Sequence, residues 1–105
     1  MTDKRIVLTT AGSEEEARNI AEALVERRLA ACVNIVGPVH SVYRWKGTVE
    51  SAPEHLLIIK TTEAAFPRVR AAIRELHSYE VPECVALAVE EGSKDYLTWI
   101  AESLG

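Results

Sequence analysis

The order in which β-prone runs and one-sided helices alternate restricts the fold of this chain more than any other feature. Two segments with helical spacing of apolar residues separate the β-prone runs, and a third such segment follows Gly92. The β-prone runs cover residues 6–10, 32–36 with 39–45, 49–61 and 84–89. This β-α-β-β-α-β order with a C-terminal helix predicts an α+β, ferredoxin-like sandwich, in which two helices cover one face of a four-stranded antiparallel sheet.

The helices are marked by local signals in addition to the spacing of their apolar residues. Ser13 and Glu16 form a capping box at the start of the first helix, and Pro67 fits only in the first turn of the second. The apolar stripes comprise Ala17, Ile20, Ala21 and Leu24 in the first helix and Phe66, Val69, Ile73 and Leu76 in the second. With 105 residues in total, the chain has the length of one domain, so we expect residues 1–105 to form a single unit.

The hairpin formed by the second and third strands is too long for a domain of this size. Arms of roughly 15 residues at about 3.3 Å each would reach about 50 Å, whereas a chain of about 100 residues packs into a sphere roughly 33 Å across. The arms must bend or project, and Gly37-Pro38 and Ala52-Pro53 are the expected positions of a break. The tip carries Tyr43 and Trp45, which favours contact with another copy of the chain. The alternative is that both rings fold back onto their own sheet.

Charge and composition exclude several classes of protein. Twelve Lys and Arg against sixteen Asp and Glu give a net charge of −4, which disfavours nucleic-acid binding. RNA-recognition modules share this element order, but residues 55–60 lack their stacking aromatics. No apolar run approaches the roughly 20 residues that span a bilayer, so no membrane insertion is expected. Only two cysteines are present, and residues 1–5 lack the apolar core of a signal peptide, so we expect a cytoplasmic protein.

Five motifs, in this order and spacing, carry a resemblance to a known family. They are LAACVNI at 29–35, YRWKG at 43–47, IKTT at 59–62, HSYEVPE at 77–83 and DYLTWI at 95–100. The chain resembles the CutA family, the divalent-cation tolerance proteins, over almost its whole length. The resemblance implies a trimer similar in architecture to the PII signalling proteins, with the hairpin of one protomer extending a neighbour's sheet. The chain departs from the usual pattern at Ser78, Cys84 and Ala88.

Candidate metal ligands are few and widely spaced. The candidates are Cys32, Cys84, His40, His55 and His77, with Glu80 and Glu83 close to the last of these. The absence of CxxC, HxxxH and HExxH leaves no closed zinc site that spacing can identify. The copper ligands proposed for the family are matched by Cys32 and His77. With Glu83 they form the predicted metal site, for copper or another divalent cation, and no organic cofactor is implied.

Each predicted ligand also has a structural interpretation. Cys32 starts a buried strand, where a lone cysteine usually acts as a small core residue. His77 ends the second helix, where its imidazole can interact with the helix C-terminus. Glu83 can ligate a cation, accept hydrogen bonds across a subunit boundary or remain solvated. His40 and His55 lie on opposite arms of the hairpin, either as a cross-strand pair or as separate solvated side chains.

Two hypotheses about function follow. The first is a homotrimer that binds copper or a similar divalent cation and so supports cation tolerance. The second is a PII-like signalling or interaction scaffold, whose clefts between protomers accept a small ligand or a protein partner that the sequence does not identify. We expect Tyr79, Glu83, Lys60 and Trp45 to line such clefts. No nucleophile elbow or catalytic cysteine signature is present, so an enzyme is not expected.

Overall fold

A computed structural model describes residues 1–105 and confirms the α+β fold. The elements run in the order β1 (Lys4–Ala11), α1 (Glu14–Glu26), β2 (Cys32–Trp45), β3 (Thr48–Thr62), α2 (Phe66–Leu76), β4 (Val85–Ala88) and α3 (Lys94–Ser103). The strands form one antiparallel sheet in the order β2-β3-β1-β4. None of the three helices has the length and apolar character required to cross a membrane.

Helices α1 and α2 pack on one face of this sheet because alternate strand residues point toward them. Val7 on β1 lies opposite Ile59 on β3, and both side chains are fully buried in the core. The stripe of α1 is buried as predicted, and Ser13 caps this helix by accepting a hydrogen bond from the Glu16 backbone N–H at 3.1 Å. Pro67 lies in the first turn of α2, as expected.

The hairpin of β2 and β3 bends at one of the two predicted positions. The pairing slips between Val36 and Val39, where Gly37 and Pro38 form an irregularity in β2. A Cβ atom on Gly37 would overlap the ring of His55, so only glycine fits there. Ala52 and Pro53 remain in regular pairing, so the break expected there is absent. The ladder also places His40 opposite Pro53, so His40 and His55 are not direct cross-strand partners.

The hairpin projects from the rest of the molecule. The whole protomer, hairpin included, has principal extents of 44 × 25 × 22 Å. Lys46 and Gly47 form its two-residue turn with φ angles of 50° and 81°. Positive φ at both positions is typical of the tight turns that match the twist of a hairpin.

The sheet face turned away from α1 and α2 is also apolar. Leu87 on β4 lies opposite Ile6 on β1, and Val85 lies opposite Leu8. These residues alternate with Val7, which points into the core, so they belong to the other face. The side chain of Leu87 is 50% exposed, and that of Val85 is exposed to a similar degree. The protomer thus leaves apolar side chains of its sheet in contact with solvent.

Candidate functional site

The imidazole of His77 is fully buried and links the end of α2 to β1. Its Nε2 lies 2.6 Å from the carbonyl oxygen of Thr10, and its Nδ1 accepts a hydrogen bond from the backbone N–H of Tyr79 at 3.0 Å. Because a backbone N–H can only donate, Nδ1 carries the lone pair and Nε2 carries the proton that is donated to Thr10. Both nitrogens are therefore engaged within the protomer. The ring bonds to a neighbouring strand rather than to the C-terminus of its own helix.

Glu16 connects the start of α1 to the same segment. Its carboxylate accepts hydrogen bonds from the backbone N–H groups of Ser78 at 2.8 Å and Gly12 at 3.4 Å, and it lies 4.0 Å from His77 Nδ1. Partial burial acts to raise the pKa of Glu16. The hydrogen bonds from Ser78, the proximity of His77 and the hydrogen bond from Gly12 act in the opposite direction and outweigh the effect of burial, so the pKa is lowered. The first turn of α1 is thereby tied to the segment that follows α2.

Glu16→Gln is expected to weaken the dependence of stability on acid pH. Since the pKa of Glu16 in the folded protein lies below its ordinary value of 4.5, the ionised carboxylate stabilises the fold above that value and loses this effect as the pH falls through the folded pKa. We expect the variant to be less stable by about 1 kcal/mol at pH 7, and we expect this difference to shrink as the pH falls below 4.5. Denaturant unfolding at pH 7, 5 and 3 measures the difference, with exposed Glu15→Gln as the control. A constant difference at all three values would contradict the prediction.

Tyr79 links this segment to the hairpin. Its hydroxyl donates a hydrogen bond to Glu54 Oε2 at 2.7 Å, and its ring lies 4.5 Å from that of His77 between centroids. Burial, and then the hydrogen bond to the Glu54 carboxylate, raise the pKa of the Tyr79 phenol well above its ordinary value. The phenol therefore remains a hydrogen-bond donor to Glu54 throughout the physiological range of pH.

An open cleft of about 610 Å³ lies between the hairpin and residues 79–83. Its lining comprises Thr10, Ser41, Val42, Tyr43, Trp45, Glu50, Glu54, Tyr79, Glu80, Val81 and Glu83. Four of these residues are glutamates, three are aromatic, and none is Lys or Arg. Tyr43 and Glu50 are cross-strand partners on the hairpin, so the β-ladder places an aromatic ring beside a carboxylate. We call this feature the acidic cleft.

The acidic cleft contains some of the predicted functional residues and not others. Glu83, Tyr79 and Trp45 line it, whereas Lys60 lies farther along β3 and contacts Asn34. Tyr43 and Trp45 face residues 79–83 of their own protomer across this cleft. Sequence reasoning did not identify Glu54. Its only sequence signal is that it lies three residues before buried Leu57 on β3, and therefore on the opposite face of the strand.

Cys32 and His77 are not brought together within one protomer. Cys32 pairs with Lys60 on β3, while His77 bonds to Thr10, whose partner on β3 is Leu56. Four residues along a strand correspond to about 13 Å. The protomer contains no group of three His, Cys, Asp or Glu side chains placed to hold a metal ion. The ligand set of Cys32, His77 and Glu83 therefore stays a prediction that requires contributions from more than one protomer.

The two cysteines are free thiols and are both half-buried. Cys84 packs against the hydrophobic core, and burial raises the pKa of its thiol. A raised pKa lowers the fraction of reactive thiolate at neutral pH. Cys32, at the start of β2, is the cysteine of the predicted ligand set.

The chain is similar to proteins of one family over nearly its whole length. The sequence model of the CutA1 divalent ion tolerance proteins matches residues 5–103. A relative from Thermus thermophilus, named as a divalent-cation tolerance protein CutA, is 53% identical over 102 residues, which cover 97% of this chain and 99% of the relative. A longer relative from Arabidopsis thaliana, named as a chloroplastic protein CutA, is 41% identical over 93% of this chain, which spans 54% of that relative.

Solved structures show the same fold. The T. thermophilus divalent cation tolerance protein superimposes with a TM-score of 0.95, covering 97% of this chain and 99% of that one at 53% identity. CutA from Xylella fastidiosa superimposes with a TM-score of 0.97 at 35% identity, and the superposition covers 99% of this chain and 100% of that one. The agreement extends through the long hairpin and the C-terminal helix, as the coverage requires. From its sequence and its fold together, the chain belongs to the CutA1 family of divalent ion tolerance proteins.

Proposed function

We propose that this protein supports divalent-cation tolerance by binding copper or a similar divalent cation as a homotrimer. The observation that carries this proposal is the acidic cleft, where Glu83 and three other glutamates are gathered without a Lys or Arg among them. A concave surface of one charge sign raises the local concentration of counter-ions. Membership of a family named for divalent ion tolerance supports the same interpretation.

The three predicted ligands differ in how readily they can bind a metal. Glu83 is exposed in the acidic cleft and forms no ion pair, so its oxygens are available. Cys32 is a free, half-buried thiol, and thiolate favours soft ions such as Cu(I). His77 must release either Thr10 or Tyr79 before one of its nitrogens can bind a metal. We therefore rank Glu83 first, Cys32 second and His77 last.

The homotrimer is supported by the apolar sheet face and by the projecting hairpin. Leu87 and Val85 are half exposed, although large apolar side chains are stabilised by burial. The hairpin extends the molecule to 44 Å, which provides surface for contact with neighbouring copies. A reducing compartment such as the cytoplasm agrees with two thiols that are not paired in a disulfide.

Native mass spectrometry of the reduced protein, titrated with Cu(I), Cu(II) and Zn(II), tests the proposal. We expect a trimer that takes up a defined number of metal ions. Glu83→Gln and Cys32→Ala are each expected to weaken binding by about tenfold or more, because each removes a ligand. Cys84→Ala is the matched control and should bind as the parent does.

Three outcomes of this titration would contradict the proposal. A trimer that remains free of metal at micromolar concentrations would exclude a tight cation site. Metal uptake that is unchanged in Glu83→Gln and Cys32→Ala would exclude the predicted ligands. A monomer would contradict the assembly on which the site depends.

A second candidate function is a PII-like scaffold that binds a small ligand or a protein partner. The observation that favours it is the volume of the acidic cleft, about 610 Å³, which falls within the range of small-molecule sites. Tyr79, Trp45 and Glu83 combine apolar walls with a polar group in this cleft. A metal-free trimer that binds an organic ligand in the cleft would favour this function over the first.

A further inference from the structure

We propose that the outer face of α2 is a docking surface for a short acidic segment of a partner protein, in which two carboxylates pair with Arg70 and Arg74. We call these two side chains the arginine pair. The inference goes beyond the proposed function, because it requires neither a bound cation nor a ligand in the acidic cleft. It can therefore hold or fail independently of both.

The exposed charges of α2 are almost all positive. Arg68, Arg70 and Arg74 are exposed and form no ion pair within the protomer. The acidic residue of this helix is Glu75, and its carboxylate already pairs with Arg27 of α1 at 3.5 Å. A chain with a net charge of −4 thus concentrates three unpaired cations on a helix of 11 residues. Cations gathered on one surface attract an anionic partner.

The placement of two of these arginines is unfavourable for the helix itself, which is a second and independent observation. Arg68 lies in the first turn, where the positive end of the helix dipole disfavours a cation, and no acidic residue offsets it there. Arg74 suits the last turn, but Arg70 lies one turn before it, so two like charges are neighbours. Helix α1, in contrast, has three glutamates in its first turn. Local choices that oppose stability without an internal compensation are typical of functional surfaces.

Arg70 is held in position before a partner binds. Its guanidinium carbon lies 5.4 Å from the centroid of the Phe66 ring, one turn earlier on α2. A guanidinium ordered in this way loses less freedom when it pairs, and its planar fork can donate two parallel hydrogen bonds to one carboxylate. The arginine pair therefore suits carboxylates fixed on a chain better than a diffuse cloud of counter-ions.

The arginine pair stays accessible in the proposed trimer. Val69 and Ile73 of α2 are fully buried in the core between the helices and the sheet, whereas both arginines lie on the side of the helix exposed to solvent. The surfaces that we propose to be covered by neighbouring protomers are the apolar sheet face and the hairpin. The sheet itself separates that apolar face from α2.

The spacing of the arginine pair matches an extended acidic segment. Cβ atoms one helical turn apart are separated by about 5–6 Å, and alternate side chains of an extended chain repeat at about 6–7 Å. Acidic residues at alternate positions can therefore place one carboxylate on each arginine. The exposed Glu22 and Glu26 of α1, which packs beside α2, repel a long polyanion such as a nucleic acid. A short segment that covers α2 alone avoids this repulsion.

Fluorescence anisotropy of a labelled eight-residue peptide of alternating Glu and Thr, titrated with the full-length protein, tests this inference at low and at physiological salt. We expect saturable binding that weakens as salt screens the charges. Arg70→Gln combined with Arg74→Gln should weaken binding by about tenfold or more, because two charge-assisted contacts are removed. The matched control combines Arg18→Gln and Arg28→Gln, two exposed arginines outside α2, and should bind as the parent does.

Two further measurements separate a docking role from a role in folding. A peptide of alternating Gln and Thr should not bind, since it has no carboxylates. In denaturant unfolding, the variant with Arg70→Gln and Arg74→Gln should be as stable as the parent, because the substitutions relieve the repulsion between like charges on α2. Weakened binding by a variant of unchanged stability would support the inference.

Four results would overturn the inference. The first is the absence of saturable binding at low salt. The second is equal weakening in the two double variants, which would indicate a general effect of net charge. The third is a loss of binding accompanied by a loss of stability, which would assign the arginine pair to the fold. The fourth is displacement of the peptide by an equal concentration of inorganic phosphate or of a single-stranded DNA oligonucleotide, which would indicate a site for phosphate groups.

Discussion

His77→Ala is expected to lower the free energy of unfolding by about 3 kcal/mol, one of the two largest effects that we predict. The imidazole is fully buried, donates to the carbonyl of Thr10 and accepts from the N–H of Tyr79. Its removal leaves both backbone groups without their partner and opens a cavity between α2 and β1. Thr10 is held in the β-ladder opposite Leu56 on β3, so its carbonyl cannot move freely to find water.

Denaturant unfolding at one fixed protomer concentration measures this effect, since unfolding of an oligomer depends on concentration. His40→Ala is the matched control, because His40 is exposed on the hairpin and should cost less than about 0.5 kcal/mol. An equal, small cost for both variants would show that the hydrogen bonds of His77 do not stabilise the fold. The same comparison is needed before any loss of metal binding in His77→Ala is attributed to ligation rather than to a loosened structure.

Leu87→Glu is expected to convert the proposed trimer into monomers at micromolar concentration. The side chain of Leu87 is 50% exposed on the apolar sheet face that we propose to be covered by another protomer. Burying an unpaired carboxylate there costs several kcal/mol, which corresponds to an increase of about a thousandfold or more in the dissociation constant. The fold of the protomer should persist, because the residue lies outside the buried core.

Analytical ultracentrifugation and native mass spectrometry measure this change in assembly. Val25→Glu is the matched control, since Val25 is 44% exposed but lies on α1, on the helical side of the sheet. That variant should assemble as the parent does. A Leu87→Glu protein that remains trimeric would show that the open sheet face is not the interface, and dissociation of both variants would point to a general loss of solubility.

Most of the fold could be predicted because its signals are local. The capping box at Ser13, the apolar stripe of α1 and the position of Pro67 depend on residues within one or two turns of each other. The expected break of the hairpin at Gly37-Pro38 also occurs, because Pro38 has no N–H to donate and His55 occupies the space beside Gly37. Pro53 stays in the ladder opposite His40, which sequence reasoning could not distinguish from a second break.

The candidate site was predicted less completely. Glu83, Tyr79 and Trp45 were expected to line a cleft and do so, whereas Lys60 does not. Glu54 and Glu50 were missed because a carboxylate on a long hairpin has the same sequence signal whether it is solvated or faces a cavity. His77 was considered as a ligand or as a partner of its helix terminus, and its actual partner, Thr10, lies 67 positions away in sequence.

By itself, the sequence determined the order of the elements, the one-sided helices, the long hairpin and the family, because periodicity, capping and ordered motifs are properties of neighbouring residues. Tertiary structure alone decided that Tyr79 contacts Glu54 and that both ring nitrogens of His77 form hydrogen bonds with backbone groups. It also decided that Cys32 lies apart from His77. These contacts depend on the register of β3 against its neighbours and on the path of the segment after α2. A shift of one residue in that register would move Glu54 to the opposite face of the sheet and remove the acidic cleft.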